Sequence, residues 1–137
     1  DIAWFRNHAS RIEQGAYPWV AASGALGLTR LTLGLQPQGA GERRYTIRLF
    51  FAEQDEIATG QRVFDIAIQG KPVAESVDVA SLAGGIHRGH VMEFTDIAVA
   101  DELVITFAPR TELKPLLCGV EVLSEEARRE MLATTYE

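Results

Sequence analysis

Tyr45-Thr46-Ile47-Arg48-Leu49-Phe50-Phe51-Ala52 is the stretch on which the fold turns. Tyr45, Ile47, Leu49 and Phe51 recur at every second position, which puts them on one face of an extended chain and away from solvent. Phe50 falls on the opposite face, so that face is expected to be partly covered as well. The segment reads as a central strand of a sheet packed on both sides.

Outward from it, the same period recurs. Phe64, Ile66 and Ile68 alternate with Asp65 and Ala67, and Gly70-Lys71-Pro72 breaks that run. Leu31, Leu33 and Leu35 form an earlier strand, Leu103, Ile105 and Phe107 a later one, and Cys118, Val120 and Val122 the last. Turn residues punctuate the runs at Pro37–Gly41, Gly60, Gly84-Gly85 and Pro109. No run leaves room for the crossover helices of ten or more residues that a parallel sheet needs. The expected class is all-β, an antiparallel sandwich over residues 1–123. From Ser124 the pattern changes. Ser124 suits an N-cap, Glu125 and Glu126 suit a first turn, and residues 124–137 are expected to form a short C-terminal helix.

With 137 residues, 47% of them hydrophobic and 23% charged, the chain has the size and composition of one ordinary globular domain. Its formal charge is −6 and its sequence pI about 5.1. No basic cluster exceeds the pairs Arg43–Arg44 and Arg128–Arg129, so nucleic acid and anionic membrane surfaces are poor partners. The single cysteine, Cys118, permits no internal disulfide and reads as a small buried hydrophobe rather than a nucleophile. No stretch approaches the ~20 apolar residues of a membrane-spanning helix. No signal peptide is visible, and the opening Asp1-Ile2-Ala3-Trp4 reads as the start of an excised or processed piece.

Several motifs in a fixed order resemble the malectin family of carbohydrate-binding domains. Tyr45-Thr46-Ile47-Arg48-Leu49-Phe50-Phe51-Ala52-Glu53 is similar to that family's Tyr-x-Val-x-Leu-x-Phe-Ala-Glu strand. Gln61-Arg62-Val63-Phe64-Asp65-Ile66 resembles its Arg-Val-Phe-Asp-Val strand, and Gln69-Gly70-Lys71 stands at its Asn-Gly-Lys turn. Val77-Asp78-Val79, Ala83-Gly84-Gly85 and Leu116–Val122 follow in order, with Trp19–Gly24 upstream resembling a segment of bacterial relatives. The resemblance implies a jelly-roll-like β-sandwich and a non-catalytic sugar-binding module, an accessory domain of a larger protein working outside the cytoplasm. Gln54, Asp55 and Glu56 occupy the positions where the founding member carries two sugar-binding aromatics.

Sugar recognition needs an apolar platform for the C–H face and polar groups for the hydroxyls. Tyr17 and Trp19 are the stacking candidates, and Asp55, Glu56, Arg62 and Arg110 the polar ones. Trp4-Phe5 also lie in a loop-like segment, and core packing is the duller reading for any of these aromatics. Glu53, Asp55 and Glu56 read first as a solvated loop. Contact with a sugar comes second, and a calcium ion held with backbone oxygens third. Glu53 alone could cap backbone donors at the turn. No cofactor is otherwise expected. Glu53 and Asp65 could form a glycosidase pair, but no apolar pocket that would raise either pKa is visible in the sequence. His87 and His90, three apart around Gly89, read as exposed loop residues rather than ligands of zinc, which needs three or four. The expected partner is an oligosaccharide or glycan, alongside fused domains of the full-length protein. The competing reading is a protein-interaction or assembly module that keeps the sandwich and has lost the sugar site.

Overall fold

The Tyr45–Phe51 stretch lies in the ten-residue strand β4, Arg43–Ala52, at the centre of a three-stranded sheet. A computed structural model describes residues 3–6, 23–35 and 41–125, with side chains from 24 onward. Among the described residues the strands in chain order are β1 Ala3–Arg6, β2 Ser23–Leu26, β3 Arg30–Gly34, β4, β5 Phe64–Ile68, β6 Lys71–Val77, β7 Gly89–Val99, β8 Glu102–Pro109, β9 Leu116–Leu117 and β10 Gly119–Ser124. A single helical turn, α1 Val79–Ala83, separates β6 from β7.

All the pairings are antiparallel. One sheet runs β10-β4-β7 and the other β3-β8-β5-β6, with a small β1-β2-β9 ladder beside the first. Cys118 interrupts the last strand, so that β9 pairs with β2 and β10 with β4, while its N–H donates to the Phe50 carbonyl at 2.8 Å. The arrangement is the antiparallel β-sandwich that the alternation implies.

Its core is built from the inward positions of both sheets. Ile47, Leu49 and Phe51 of β4 meet Phe64, Ile66 and Ile68 of β5 and Leu103, Ile105 and Phe107 of β8 in one buried cluster. Leu31, Leu33, Met92, Phe94, Val120 and Val122 pack around it, half-buried. Phe50 points to the other face of β4 and is also buried, as its position suggests. On that outer face Arg48 bridges its sheet neighbours, with Nε 2.9 Å from Glu93 and Nη1 2.8 Å from Glu121.

Gln69-Gly70 is where the local chemistry fixes register. Both residues have positive φ, 54° and 78°, the type I′ geometry that joins two right-twisted strands with a two-residue loop. The strand therefore resumes at Lys71 instead of stopping at Gly70-Lys71-Pro72. At the other end of β10, Ser124 pairs with Tyr45, so the strand runs one residue into the segment expected to be helical. Residues 126–137 of that segment lie outside the described residues. Glu125 accepts from Thr46 Oγ1 at 3.0 Å and from Asp96 N–H at 3.4 Å.

Candidate functional site

Three connections gather at one end of the sandwich: the β4–β5 loop (53–63), the α1 segment (78–88) and the β8–β9 loop (110–115). The β4–β5 loop is anchored from below. Glu53 continues the inward series of Tyr45, Ile47, Leu49 and Phe51, and Arg62 continues that of Phe64, Ile66 and Ile68. Both are carried to the buried side, where they are 1% and 4% exposed.

Arg62 Nε donates to Glu53 Oε1 at 2.8 Å, and its Nη2 to Asp55 Oδ2 at 2.8 Å. Nη1 donates to the Lys114 carbonyl of the β8–β9 loop. The second Glu53 oxygen accepts the Asp55 N–H at 3.2 Å, which is the turn-capping role its position allows. One guanidinium thus ties both flanks of its own loop to the neighbouring loop, using the forked geometry that lysine lacks. Burial pushes the Glu53 carboxyl above the ordinary carboxylate range, with the Arg62 charge and the Asp55 N–H pulling the other way.

Asp78 makes a second brace. It caps α1, accepting from Ser81 N–H at 3.2 Å, and its other oxygen accepts from Gly60 N–H of the β4–β5 loop. Gly84 ends the turn in the left-handed region at φ 80°. A third brace joins Arg110 to Asp65, Nε to Oδ1 at 2.6 Å, and the same oxygen accepts the Ser76 N–H at 2.8 Å. Arg110 and the Ser76 N–H hold the Asp65 carboxyl below its usual range.

The sequence-derived candidates are distributed as follows. Asp55, Glu56 and Arg62 share the β4–β5 loop, and Asp55 and Arg62 are in contact. Glu56 stands 83% exposed. Arg110 lies at the same end of the sandwich but is engaged with Asp65 rather than with Asp55 or Glu56. Arg62 is beneath the surface and braces the rim instead of facing solvent. Tyr17 and Trp19 lie outside the described residues. Glu53 and Asp65, the conceivable glycosidase pair, are each committed to a different arginine. Among the described residues no group of three or more His, Cys, Asp or Glu side chains is arranged to hold a metal ion.

The histidines depart from expectation. His87 is only 15% exposed, its N–H donates to the Glu53 carbonyl at 2.7 Å, and its Nε2 lies 3.8 Å from Glu56 Oε1. Its φ is +55° and its buried Nδ1 has no partner among the described residues. His90 belongs to β7, paired with Phe51 on the inward face, because Gly89 opens a strand rather than a turn. Burial depresses the His90 pKa below 6.5. A group charged more readily in the unfolded chain costs stability on protonation, so stability should be complete above pH 6.5 and decline as pH falls through the depressed value. In matched denaturation curves between about pH 7 and about pH 5, His90→Gln is expected to flatten this decline. An unchanged slope in the variant would assign it to another group. Cys118 is half-buried against the core, and desolvation raises its thiol pKa to about 12.

Sequence periodicity contained the signal for the buried pair. Extending the alternation of β4 forward by one step and that of β5 backward by one step puts a carboxylate and a guanidinium on the same inner face.

Residues 35–115 match the model of the malectin domain family. The chain is 32% identical over 82 residues to Receptor-like protein 4 of Arabidopsis thaliana, covering 58% of this chain and 13% of the relative. A solved calcium-binding mutant of Bacteroides uniformis beta-glucuronidase 2 superposes with a TM-score of 0.74 at 16% identity, over 90% of this chain and 14% of that one. The solved complex of plant peptide RALF23 with FER and LLG2 superposes with a TM-score of 0.65 at 19% identity, over 82% of this chain and 34% of the matched chain. The chain thus spans a small part of each, and the structural likenesses show the fold alone. Among the described residues no helix is long and apolar enough to cross a membrane.

Proposed function

Because the chain belongs to the malectin domain family, we propose that it is a non-catalytic oligosaccharide-binding module, an accessory domain of a larger protein that works outside the cytoplasm. The observation that carries this reading is the bracing of the rim from within. The buried Arg62, held by Glu53, leaves the loop bearing exposed Asp55 and Glu56 preformed before any ligand arrives. Preformed polar groups bind without the cost of ordering a loop. Asp55 and Glu56 accept from sugar hydroxyls, Arg110 donates, and Tyr17 and Trp19 supply stacking faces. The commitment of Glu53 and Asp65 to separate arginines supports a binding role over hydrolysis, which needs a carboxyl pair across one bond.

Calorimetric titration with glucose-, galactose- and mannose-containing oligosaccharides tests the reading. Weak binding is expected, and Asp55→Ala with Glu56→Ala should weaken it by about tenfold or more, since each removes a charge-assisted hydrogen bond. Absence of heat at millimolar sugar sinks it.

A second reading, a protein-interaction module on the same sandwich, is favoured by one sequence observation. Gln54-Asp55-Glu56 replaces the aromatic pair with polar side chains. The FER structure, solved with a peptide and a further protein, shows the matched chain in such a complex. A stoichiometric partner complex by light scattering, with no glycan binding, would select this reading.

A further inference from the structure

Among the described residues, one buried side-chain atom finds no hydrogen-bond partner, Nδ1 of His87. Such atoms are rare in folded proteins, since each has left water and gained nothing in return. The backbone at the same residue is costly too. His87 sits at φ +55°, in the left-handed region that glycine enters freely and other residues enter at a cost. Two local costs at one residue beside the rim mark a position that packing alone does not account for.

The surroundings hold the residue in place. Gly84 and Gly85 lead the chain out of α1 at φ 80° and 149°, and the Arg88 side chain lies against both. The His87 N–H donates to the Glu53 carbonyl at 2.7 Å. Glu53 is itself held by Arg62, so the histidine is fastened to the brace that orders the β4–β5 loop. Its side chain is 15% exposed, and Nε2 lies 3.8 Å from Glu56 Oε1, so this edge of the ring faces the rim carboxylate.

The orphaned nitrogen decides where the proton sits. A proton on Nδ1 would be a buried donor with no acceptor, the costlier arrangement of the two. The neutral ring therefore carries it on Nε2, toward Glu56. A donor and a carboxylate then stand side by side, too far apart at 3.8 Å to bond each other. An oxygen about 2.8 Å from each would fill the gap. It must accept from Nε2–H and donate to Glu56 at once, which a hydroxyl can do and a carboxylate or an ammonium cannot.

Taking the oligosaccharide reading above as its basis, we propose that His87 contacts the ligand, its Nε2–H and the Glu56 carboxylate together clasping one sugar hydroxyl. The orphaned Nδ1 thereby fixes the tautomer that presents a donor at the rim.

Calorimetric titration of the native chain, His87→Phe and His87→Gln with the glucose-, galactose- and mannose-containing oligosaccharides tests this contact. Phenylalanine keeps a ring and loses the donor, and should weaken binding by about tenfold. Glutamine returns an N–H near the place of Nε2 and suits the backbone, as Gln69 does at φ 54°, so it should recover most of that loss. Stability should not follow affinity. His87→Phe removes the unsatisfied nitrogen and should melt no lower than the native chain. Among monodeoxy and monodeoxyfluoro methyl glycosides of the same sugars, one position should lose about tenfold with either replacement, because fluorine cannot donate. In His87→Phe the same replacements should cost much less, the mark of two groups in contact. Nitrogen NMR at about pH 8 should find the ring proton on Nε2. If the native chain binds sugar and His87→Phe binds it equally well, or if Nδ1 carries the proton, the role of His87 is wrong and the sugar reading stands. Equal losses in both variants with a lowered melting temperature would make His87 structural and overturn the contact as well. A native chain that takes up no sugar at millimolar concentration overturns both.

Discussion

Phe64→Ala is expected to lower the unfolding free energy by about 3–5 kcal/mol, the range found for truncating a wholly buried aromatic. Phe64 has no solvent exposure and lies between two other rings, 6.0 Å from Phe51 and 6.3 Å from Phe107 by centroid. Those partners belong to β4 and β8, so the ring joins the two sheets at the end of the sandwich that carries the rim. Truncation removes the transfer term for the ring and leaves a cavity that neighbouring β-strands, pinned by their ladders, cannot collapse into. Urea denaturation with an unchanged slope would report the loss cleanly. Phe64→Leu should recover more than half of it. A loss below about 1 kcal/mol for the alanine variant would mean that the core relaxes around the gap and that the three-ring contact carries little.

Arg62→Met should be of similar size, about 3–5 kcal/mol, for a different reason. The methionine nearly fills the volume, so packing is not the main loss. What remains is the Glu53 carboxylate, buried, stripped of its cation and unable to reach bulk water. The diagnostic measurement is the double variant Glu53→Met, Arg62→Met. Two apolar side chains need no compensation, and the remaining partners, Asp55 and the Lys114 carbonyl, lie closer to solvent. The double variant should therefore be more stable than Arg62→Met alone. If single and double variants unfold together, the energetic role assigned to this pair is wrong. The double variant should also loosen the β4–β5 loop while the sandwich persists, separating rim order from global stability in hydrogen exchange.

How far these features could be read in advance depended on their range along the chain. Alternation is a local property, and it placed the inward residues of β3, β4, β5 and β8 because one face of each strand must leave water. The motif order from Tyr45 to Val122 carried the family as well. β6 and β7 escaped notice because their patterns are blurred. Pro72 looks like a stop, and His90, Met92 and Phe94 on the inner face of β7 alternate with Val91, which is itself apolar. The turn α1 was hidden for a related reason: Val77-Asp78-Val79 alternates like a strand, yet Asp78 is an N-cap. Of the rim candidates, Asp55 and Glu56 were legible as a polar loop, while the burial of Arg62 was not inferred although its parity implied it.

By itself the sequence determined a two-layer antiparallel sandwich and the faces that line its core, because burial of apolar side chains at period two leaves few alternatives. Only the tertiary structure decided which partners the arginines meet. Arg62 and the Lys114 carbonyl that accepts from it are 52 positions apart, as Arg110 and Asp65 are 45, and such encounters depend on how loops from different strands converge at one end of the sheets.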